Sequence, residues 1–557
     1  MPAYCGQTSI GTLKPFARQR QSKANEHLEV PIVNKGYGMT YLMAIDAGTG
    51  SVRAVIFDEN GNQISLSARE WHHFEDSKYP GSMDFDWITN WSLACSCVKD
   101  AIAKSGLKAS QIAAVSTTCM REGIVLYDAA GKEIWACANV DARAVDEVAQ
   151  LKKISPELEK ELYIESGQTF ALGALPRLLW VKNKLPEVYK KIARIGMFND
   201  WLIYKLSGVL AVEPSNGCTT GLFDLQTRTW DKTIARRCGL KDDIFPIVLE
   251  STTLVSKVSP RGAVDSGLVE GTQLVVGGGD CQLGTIGVGV VNANEAAVFG
   301  GSFWQYEYNT DIGAASPKCD VRVNCHAIPK MRQYEALAFN PGLVMRWYRD
   351  AFCGEEKRIA EDQRTDPYEL MDIEAAKIPA GCYGMFCTFS DVMNYISWRH
   401  ASPSFLNFAL DPNKFNKYTF YRSIMENTAL VTLGHVKLVE TVIGKCPTKI
   451  VFAGGAAKSN LWPQILADVL QITVQVPVVK EATALGAAII AGKGIGLYND
   501  IGDAAAKLAK IEKVFNPDPK NAEVYKKAYS TWRAAYDSML KLSGEKITKY
   551  MWAAPGL

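Results

Sequence analysis

Four glycine-broken segments carry the residue types that could do chemistry on a phosphate. The first is D-A-G-T-G-S-V-R, Asp46 to Arg53. Gly48 and Gly50 allow a tight turn whose backbone N–H groups approach an anion. Thr49 and Ser51 add hydroxyl donors, and Arg53 can neutralise phosphate charge. Asp46 stands at the mouth of the turn, where it could hold Mg²⁺ through water. Read alone, the same residues also fit an ordinary hairpin turn with Asp46 as turn former.

The second segment is G-G-G-D, Gly277 to Asp280, at the end of an apolar run. A carboxylate there could take the proton of a hydroxyl attacking a phosphoryl group, with positioning and charge stabilisation supplying the rest. The competing reading makes Asp280 a cap for the helix from Cys281. F-G-G-S, with Gly300, Gly301 and Ser302, could cradle distal phosphates, and F-A-G-G-A, with Gly454 and Gly455, could receive the nucleoside. A glycine can also simply end a strand, but one cleft needs several such approach points at once. Arg121, Glu122, Asp141 and Arg143 lie beside apolar strands, where they could grip substrate oxygens or form structural ion pairs. Trp304, next to the second glycine pair, is a candidate stacking surface, and Gln282 follows the G-G-G-D run. The histidines make no metal-ligand or triad pattern.

These segments need an α/β scaffold. Strands are expected at Tyr41–Asp46 and Val52–Asp58 as a hairpin. Further strands are expected at Ile112–Ser116, Gly123–Tyr127, Leu274–Gly277, Ala296–Phe299 and Lys449–Ala453. Helices are expected at Trp91–Ser105, Ala174–Lys184, Asp200–Leu206, Gln464–Ile472 and Ala482–Ala491. Strand-then-glycine events in both halves suggest two related domains around a shared cleft. A chain of 557 residues also exceeds one ordinary core. The expected division is a flexible extension at 1–38, a first domain at 39–290, a second at 291–515 and a C-terminal helical appendage at 516–557.

The 61 basic and 59 acidic residues nearly balance, which gives no electrostatic reason to expect nucleic acid. No apolar run is long enough to predict a membrane span. The 14 cysteines form no C-x-x-C pair, which argues for buried thiols in a reducing, cytoplasmic compartment.

The order D-A-G-T-G-S-x-R, S-N-x-x-x-T within Pro214–Asp224, G-G-G-D, G-G-S and A-G-G-A with T-A-L-G-A resembles the FGGY carbohydrate kinases from about Tyr41 to Tyr498. The resemblance implies two actin-like, ribonuclease-H-like domains flanking a deep cleft for ATP and substrate. It implies ATP and Mg²⁺ as cofactors and Asp280 as catalytic base. Asp46, Thr49, Gly50 and Arg53 then match the first phosphate motif, and Gly300, Gly301 and Ser302 the second. Gly454 and Gly455 match the adenosine motif, and Arg121 with Glu122 the substrate-gripping pair. Gly301 stands where many relatives carry threonine. Ser459 stands where many carry asparagine, with Asn460 beside it. Leu172 falls where glycerol kinases carry an aromatic, and Phe389–Pro403 lacks the usual D-P-x-x-R-G stretch. Both departures speak against a glycerol kinase.

Within the family, PGSMDFD (Pro80–Asp86), MREGIVLYD (Met120–Asp128), IWACANVDARA (Ile134–Ala144) and MRWYRDAFC (Met345–Cys353) imply a particular small-molecule substrate. It is the linear signal molecule 4,5-dihydroxy-2,3-pentanedione, phosphorylated at its terminal hydroxyl. A pentulose kinase and a non-catalytic nucleotide-binding regulator are the alternatives. The same resemblance implies a phosphocarrier protein of the sugar phosphotransferase system as partner, and a monomer or homodimer.

Overall fold

The computed structural model describes residues 39–557, except Leu172, Phe339 and Leu557. The extension expected at 1–38 and the substitution at Leu172 therefore lie outside the described residues.

Two large sheets organise the chain. The first runs Leu254–Lys257, Gln273–Gly279, Ile112–Cys119, Tyr41–Ala47, Ser51–Asp58, Gln63–Glu70. Its last three strands are an antiparallel meander, and Tyr41–Ala47 pairs in parallel with Ile112–Cys119, itself parallel to Gln273–Gly279. The second runs Arg322–Cys325, Arg332–Ala338, Trp304–Thr310, Glu295–Gly300, Lys449–Ala453, Val474–Pro477, Ile511–Phe515. There too an antiparallel set feeds Glu295–Gly300, which pairs in parallel with Lys449–Ala453 and through it with Val474–Pro477. Both sheets set an antiparallel group on one side of a parallel core and an antiparallel edge strand on the other, which is the physical content of the two related halves expected from the glycine pattern. The second sheet has one strand more and a different order within its antiparallel group.

The strands on the parallel side read as unbroken apolar runs because both faces are covered. Leu42, Met43, Ala44 and Ile45 are all buried. On one face Met43 and Ile45 meet Val98 and Ala101 of the helix Trp87–Ser105. On the other, Leu42 and Ala44 meet Leu485, Ala488 and Ile489 of the helix Ala482–Gly494. That helix comes from the second half of the chain and crosses back onto the first sheet. It also crosses Asp280–Gly287, the helix leaving the first sheet. A Cβ on Gly287 would lie 1.8 Å from the Ala482 carbonyl oxygen, and one on Gly486 1.9 Å from that of Leu283. Glycine at both positions lets the two connecting helices touch backbone to backbone.

The helix Ala522–Gly544 buries Tyr525, Trp532 and Tyr536 in the core of the second lobe. It is thus built into the wall of that lobe, where the sequence suggested an appendage. Trp552–Ala553 adds a short antiparallel pairing with Arg399–His400. Among the described residues no helix is long and apolar enough to cross a membrane. All the described cysteines are free, and only Cys446 is exposed.

Candidate active site

The first turn sits between Tyr41–Ala47 and Ser51–Asp58, and their register sets Asp46 opposite Arg53. Surrounding side chains hold its carbonyls inward. Trp71 Nε1 donates to the Gly48 oxygen at 2.9 Å, the Trp71 N–H to that of Gly50 at 3.2 Å, and the His73 ring lies 2.6 Å from that of Thr49. Phosphate binding would use the N–H groups of the same turn. Asn139 Nδ2 donates to Thr49 Oγ1 at 3.0 Å. Arg53 Nη1 lies 2.8 Å from Glu481 of the crossing helix, and its Nε lies 3.8 Å from Asp46. Burial lifts the Asp46 carboxyl to about 7; Arg53 opposes the rise, and the Asp280 and Glu481 charges add to it. This concentration of acidic groups, held against one arginine, fits a site that a divalent cation on ATP would relieve.

Asp280 opens the helix Asp280–Gly287 at the end of the strand Gln273–Gly279. Its Oδ1 accepts from the Cys281 N–H at 2.8 Å and from Arg121 Nε at 2.9 Å. About a third of its side-chain surface, 35%, stays open. Burial raises its carboxyl above the ordinary value and Arg121 opposes the rise. Asp280 is therefore both a helix-opening residue and an accessible, oriented carboxylate.

Arg121 and Glu122 are each met by the opposite lobe. Arg121 donates through Nη1 to Glu335 and through Nη2 to the Cys281 sulfur at 3.0 Å. Glu122, held at a left-handed φ of 66°, lies 2.5 Å from Arg322. Arg322 also donates to Gln168 Oε1 at 2.8 Å and to Glu335 at 3.2 Å. Two arginine–glutamate pairs thus cross between lobes in opposite senses. Cys281, Glu307 and Glu335 bring their ligand atoms together as a metal site would. The Arg121 guanidinium already occupies two of the three, and burial holds the Glu307 carboxyl well above its usual range.

Other candidates lie elsewhere. Trp304 does not reach the cleft. It is fully buried, its Nε1 donates to Thr432 at 3.0 Å, and its ring stacks on Trp462 at 5.2 Å. Its strand pleat points it into the second-lobe core, which corrects the stacking expectation. Asp141 and Arg143 are bound mainly to each other, at 2.8 Å through Arg143 Nε. Asp141 also accepts from the Met83 N–H, and Arg143 reaches Asp84 and lies over the Trp135 and Trp180 rings. Gln282 turns into the interlobe network, donating to Gln333 at 2.8 Å. Gly300 is buried, Gly301 and Ser302 are exposed, and the Gly301 N–H is taken by the Phe303 carbonyl at 2.9 Å. Gly454 and Gly455 sit beside Gly300, completing one glycine-lined floor. Ser459 Oγ accepts from the Leu461 and Trp462 N–H groups and so starts the helix Leu461–Leu470, while Asn460 accepts from Lys513.

Sequence reading missed Glu481, Gln168, Arg322, Glu335 and Arg177. Arg177 donates to the carbonyls of Glu122, Asn139 and Asp141 and so ties three site segments together. Glu481, just ahead of a glycine- and alanine-rich helix, offered a local signal. The others depend on register and packing and had none.

Residues 41–287 match the N-terminal domain, and residues 317–495 the C-terminal domain, of the FGGY family of carbohydrate kinases. The chain belongs to that family. It is a carbohydrate kinase that uses ATP. It is 50% identical over 520 residues to a protein of Enterobacter sp. (strain 638) named autoinducer-2 kinase, covering 93% of this chain and 98% of that one. The autoinducer-2 kinase of Yersinia enterocolitica is 49% identical over 518 residues, with the same coverage. Among solved structures, xylulose kinase from Rhodospirillum rubrum superposes with a TM-score of 0.80 at 21% identity, over 90% of this chain and 99% of that one. Glycerol kinase from Plasmodium falciparum with ADP gives 0.78 at 19%, over 89% and 98%. These structures share the fold.

Proposed function

We propose that this kinase phosphorylates the terminal hydroxyl of linear 4,5-dihydroxy-2,3-pentanedione, the signal autoinducer-2, and so acts in quorum sensing. The observation that carries the substrate is the 50% identity, over nearly the full length of both chains, to a protein named for that activity. The chemistry rests on Asp280. Its open carboxylate accepts the hydroxyl proton as the oxygen bonds to the γ-phosphorus of ATP. The bond from that phosphorus to the β,γ-bridging oxygen breaks, and ADP leaves. Arg121 fixes the carboxylate and opposes the rise that burial imposes on it. The turn at 47–51 and the segment Gly300, Gly301 and Ser302 embrace the phosphates, with Gly454 and Gly455 beside them toward the nucleoside. Asp46 would hold Mg²⁺, which neutralises charge on the phosphate oxygens. The crossed pairs tie the lobes together beside Asp280, which would limit water that wastes ATP.

The described cysteines, all free, support a reducing cytoplasm. A phosphocarrier protein as partner is proposed on family likeness alone.

Release of ADP, measured over the dihydroxydione, D-xylulose, D-ribulose, gluconate and glycerol, tests the substrate. The highest kcat/KM is expected for the dihydroxydione. Turnover of D-xylulose with none of the dihydroxydione would replace this reading by a pentulose kinase. Asp280→Asn should lower kcat by about 10²- to 10⁴-fold. Absence of turnover with every acceptor would favour a nucleotide-binding regulator.

A further inference from the structure

The strand that delivers Asp280 ends in three glycines, so no side chain of its own can lock it. A Cβ on Gly277 would lie 1.7 Å from the Thr117 carbonyl oxygen. Its pairing with Ile112–Cys119 also slips between Val275 and Gly278. The strand end is instead held from outside. Ser251 Oγ donates to the Gly277 carbonyl at 2.6 Å, and the Gly279 N–H donates to Ser215 Oγ at 2.8 Å. Both hydroxyls converge on one fully buried carboxyl group, that of Glu213. Ser215 Oγ donates to its Oε2 at 2.5 Å, and Ser251 Oγ lies 3.1 Å from its Oε1. The Ser215 and Asn216 N–H groups complete the Oε2 shell at 2.9 and 3.2 Å.

Proton counting sharpens this. Ser251 has one hydroxyl proton, and the Gly277 carbonyl is the nearer claimant. The contact to Oε1 is then a hydrogen bond only when Glu213 supplies the proton. Burial lifts the Glu213 carboxyl to about 7, so the protonated form is well populated near neutral pH. Glu213 thus grips the carbonyl side of the strand end through Ser251 and the N–H side through Ser215. The second grip lies one residue before Asp280.

We propose that Glu213 and Ser215 are positioning residues that aim Asp280 at the acceptor hydroxyl. The proposal rests on Asp280 being the base. Neither residue need touch substrate, so their loss should act on the chemical step.

The test uses the full-length protein with Ser215→Ala, Glu213→Ala, Glu213→Gln and Asp280→Asn, scored by kcat, both KM values and urea midpoints. Ser215→Ala and Glu213→Ala should lower kcat about 10- to 100-fold, as a sub-ångström displacement of a reacting group does. Both KM values should stay within about threefold. Glu213→Gln should keep most of kcat, because its amide can donate to Ser251 and accept from Ser215. A Ser215→Ala kcat within about twofold of the parent overturns the proposal, as does a Glu213→Gln as impaired as a folded Glu213→Ala. If Glu213→Ala does not fold, Ser215→Ala and Glu213→Gln decide. An inactive Asp280→Asn beside an unimpaired Ser215→Ala removes only the positioning role. A fully active Asp280→Asn removes the base on which it stands.

Discussion

In the first lobe the glycine turn at 47–51 is roped in by side chains. Trp71, His73 and Asn139 hold its carbonyls and Thr49, and Gly50 has open space where a Cβ would go. In the second lobe the glycine segments close on one another. A Cβ on Gly454 would lie 2.7 Å from the Gly300 carbonyl oxygen, and one on Gly342 2.0 Å from that of Gly301. Both lobes build on an antiparallel strand set beside a parallel core, yet glycine serves two purposes. In the first it allows an open turn that side chains hold; in the second it lets backbones touch. The sharpest way to break the comparison is to add one methyl group to each lobe. Gly454→Ala meets backbone and must also adopt a φ of +93°, so the KM for ATP should rise about 10-fold or more. Gly50→Ala should leave it within about twofold. Equal effects would show that the two lobes use glycine alike.

Acid should separate the lobes as well. His326, His400 and His435 belong to the second lobe, are buried, and are held neutral with their imidazoles pushed down to about 3. Burial is the main cause, and at two of them a ring nitrogen serves as acceptor: His326 Nδ1 accepts from the Ile328 N–H and His435 Nε2 from the Met393 N–H. The unfolded chain gains these protons below about pH 6.5 and the folded chain does not, so stability is lost as pH falls through that value. From pH 7 to about 5.5 the three together cost roughly 4 kcal/mol. Glu307 and Asp391, raised by burial in the same lobe, offset part of it. In the first lobe Glu213 and Asp200 are raised by burial, bind protons when folded, and gain stability over the same interval. Hydrogen exchange at about pH 5.5 should therefore show second-lobe amides opening first, and the reverse order would overturn the assignment.

What the sequence makes legible follows the same division. The hairpin from Tyr41 to Asp58, the strand Lys449–Ala453 and the helix Ala174–Lys184 all form where pattern and glycine breaks predict them. Helix starts were less legible. Trp87–Ser105 begins four residues early because Asp86 accepts from the Ile88 and Thr89 N–H groups. The phosphate turn was readable because its chemistry is contiguous. The crossed pairs were not, because Glu307, Glu335 and Arg322 become neighbours only through cross-strand register. Trp304 misled because proximity to glycine in sequence says nothing of the face a strand residue takes. Trp304 pairs directly with Gly300 and still points into the core.

The smallest expected effect concerns the hydroxyl that one lobe has and the other lacks. Thr49 offers its Oγ1 in the first turn, steadied by Asn139. Gly301 stands at the corresponding place of the second phosphate segment, where the family resemblance implies threonine. A Cβ there would meet only the Phe303 carbonyl oxygen, at 3.7 Å, which is ordinary contact, so the missing side chain is not excluded by packing. Gly301→Thr should fold and add one hydroxyl–phosphate hydrogen bond, worth about 0.5–1.5 kcal/mol. Steady-state kinetics should then show a KM for ATP lowered roughly 2- to 10-fold. The kcat and the KM for the acceptor should not change. An unchanged KM for ATP would mean that the second lobe already satisfies the phosphate through its backbone, so the contrast between roped and touching glycines extends to the ligand itself.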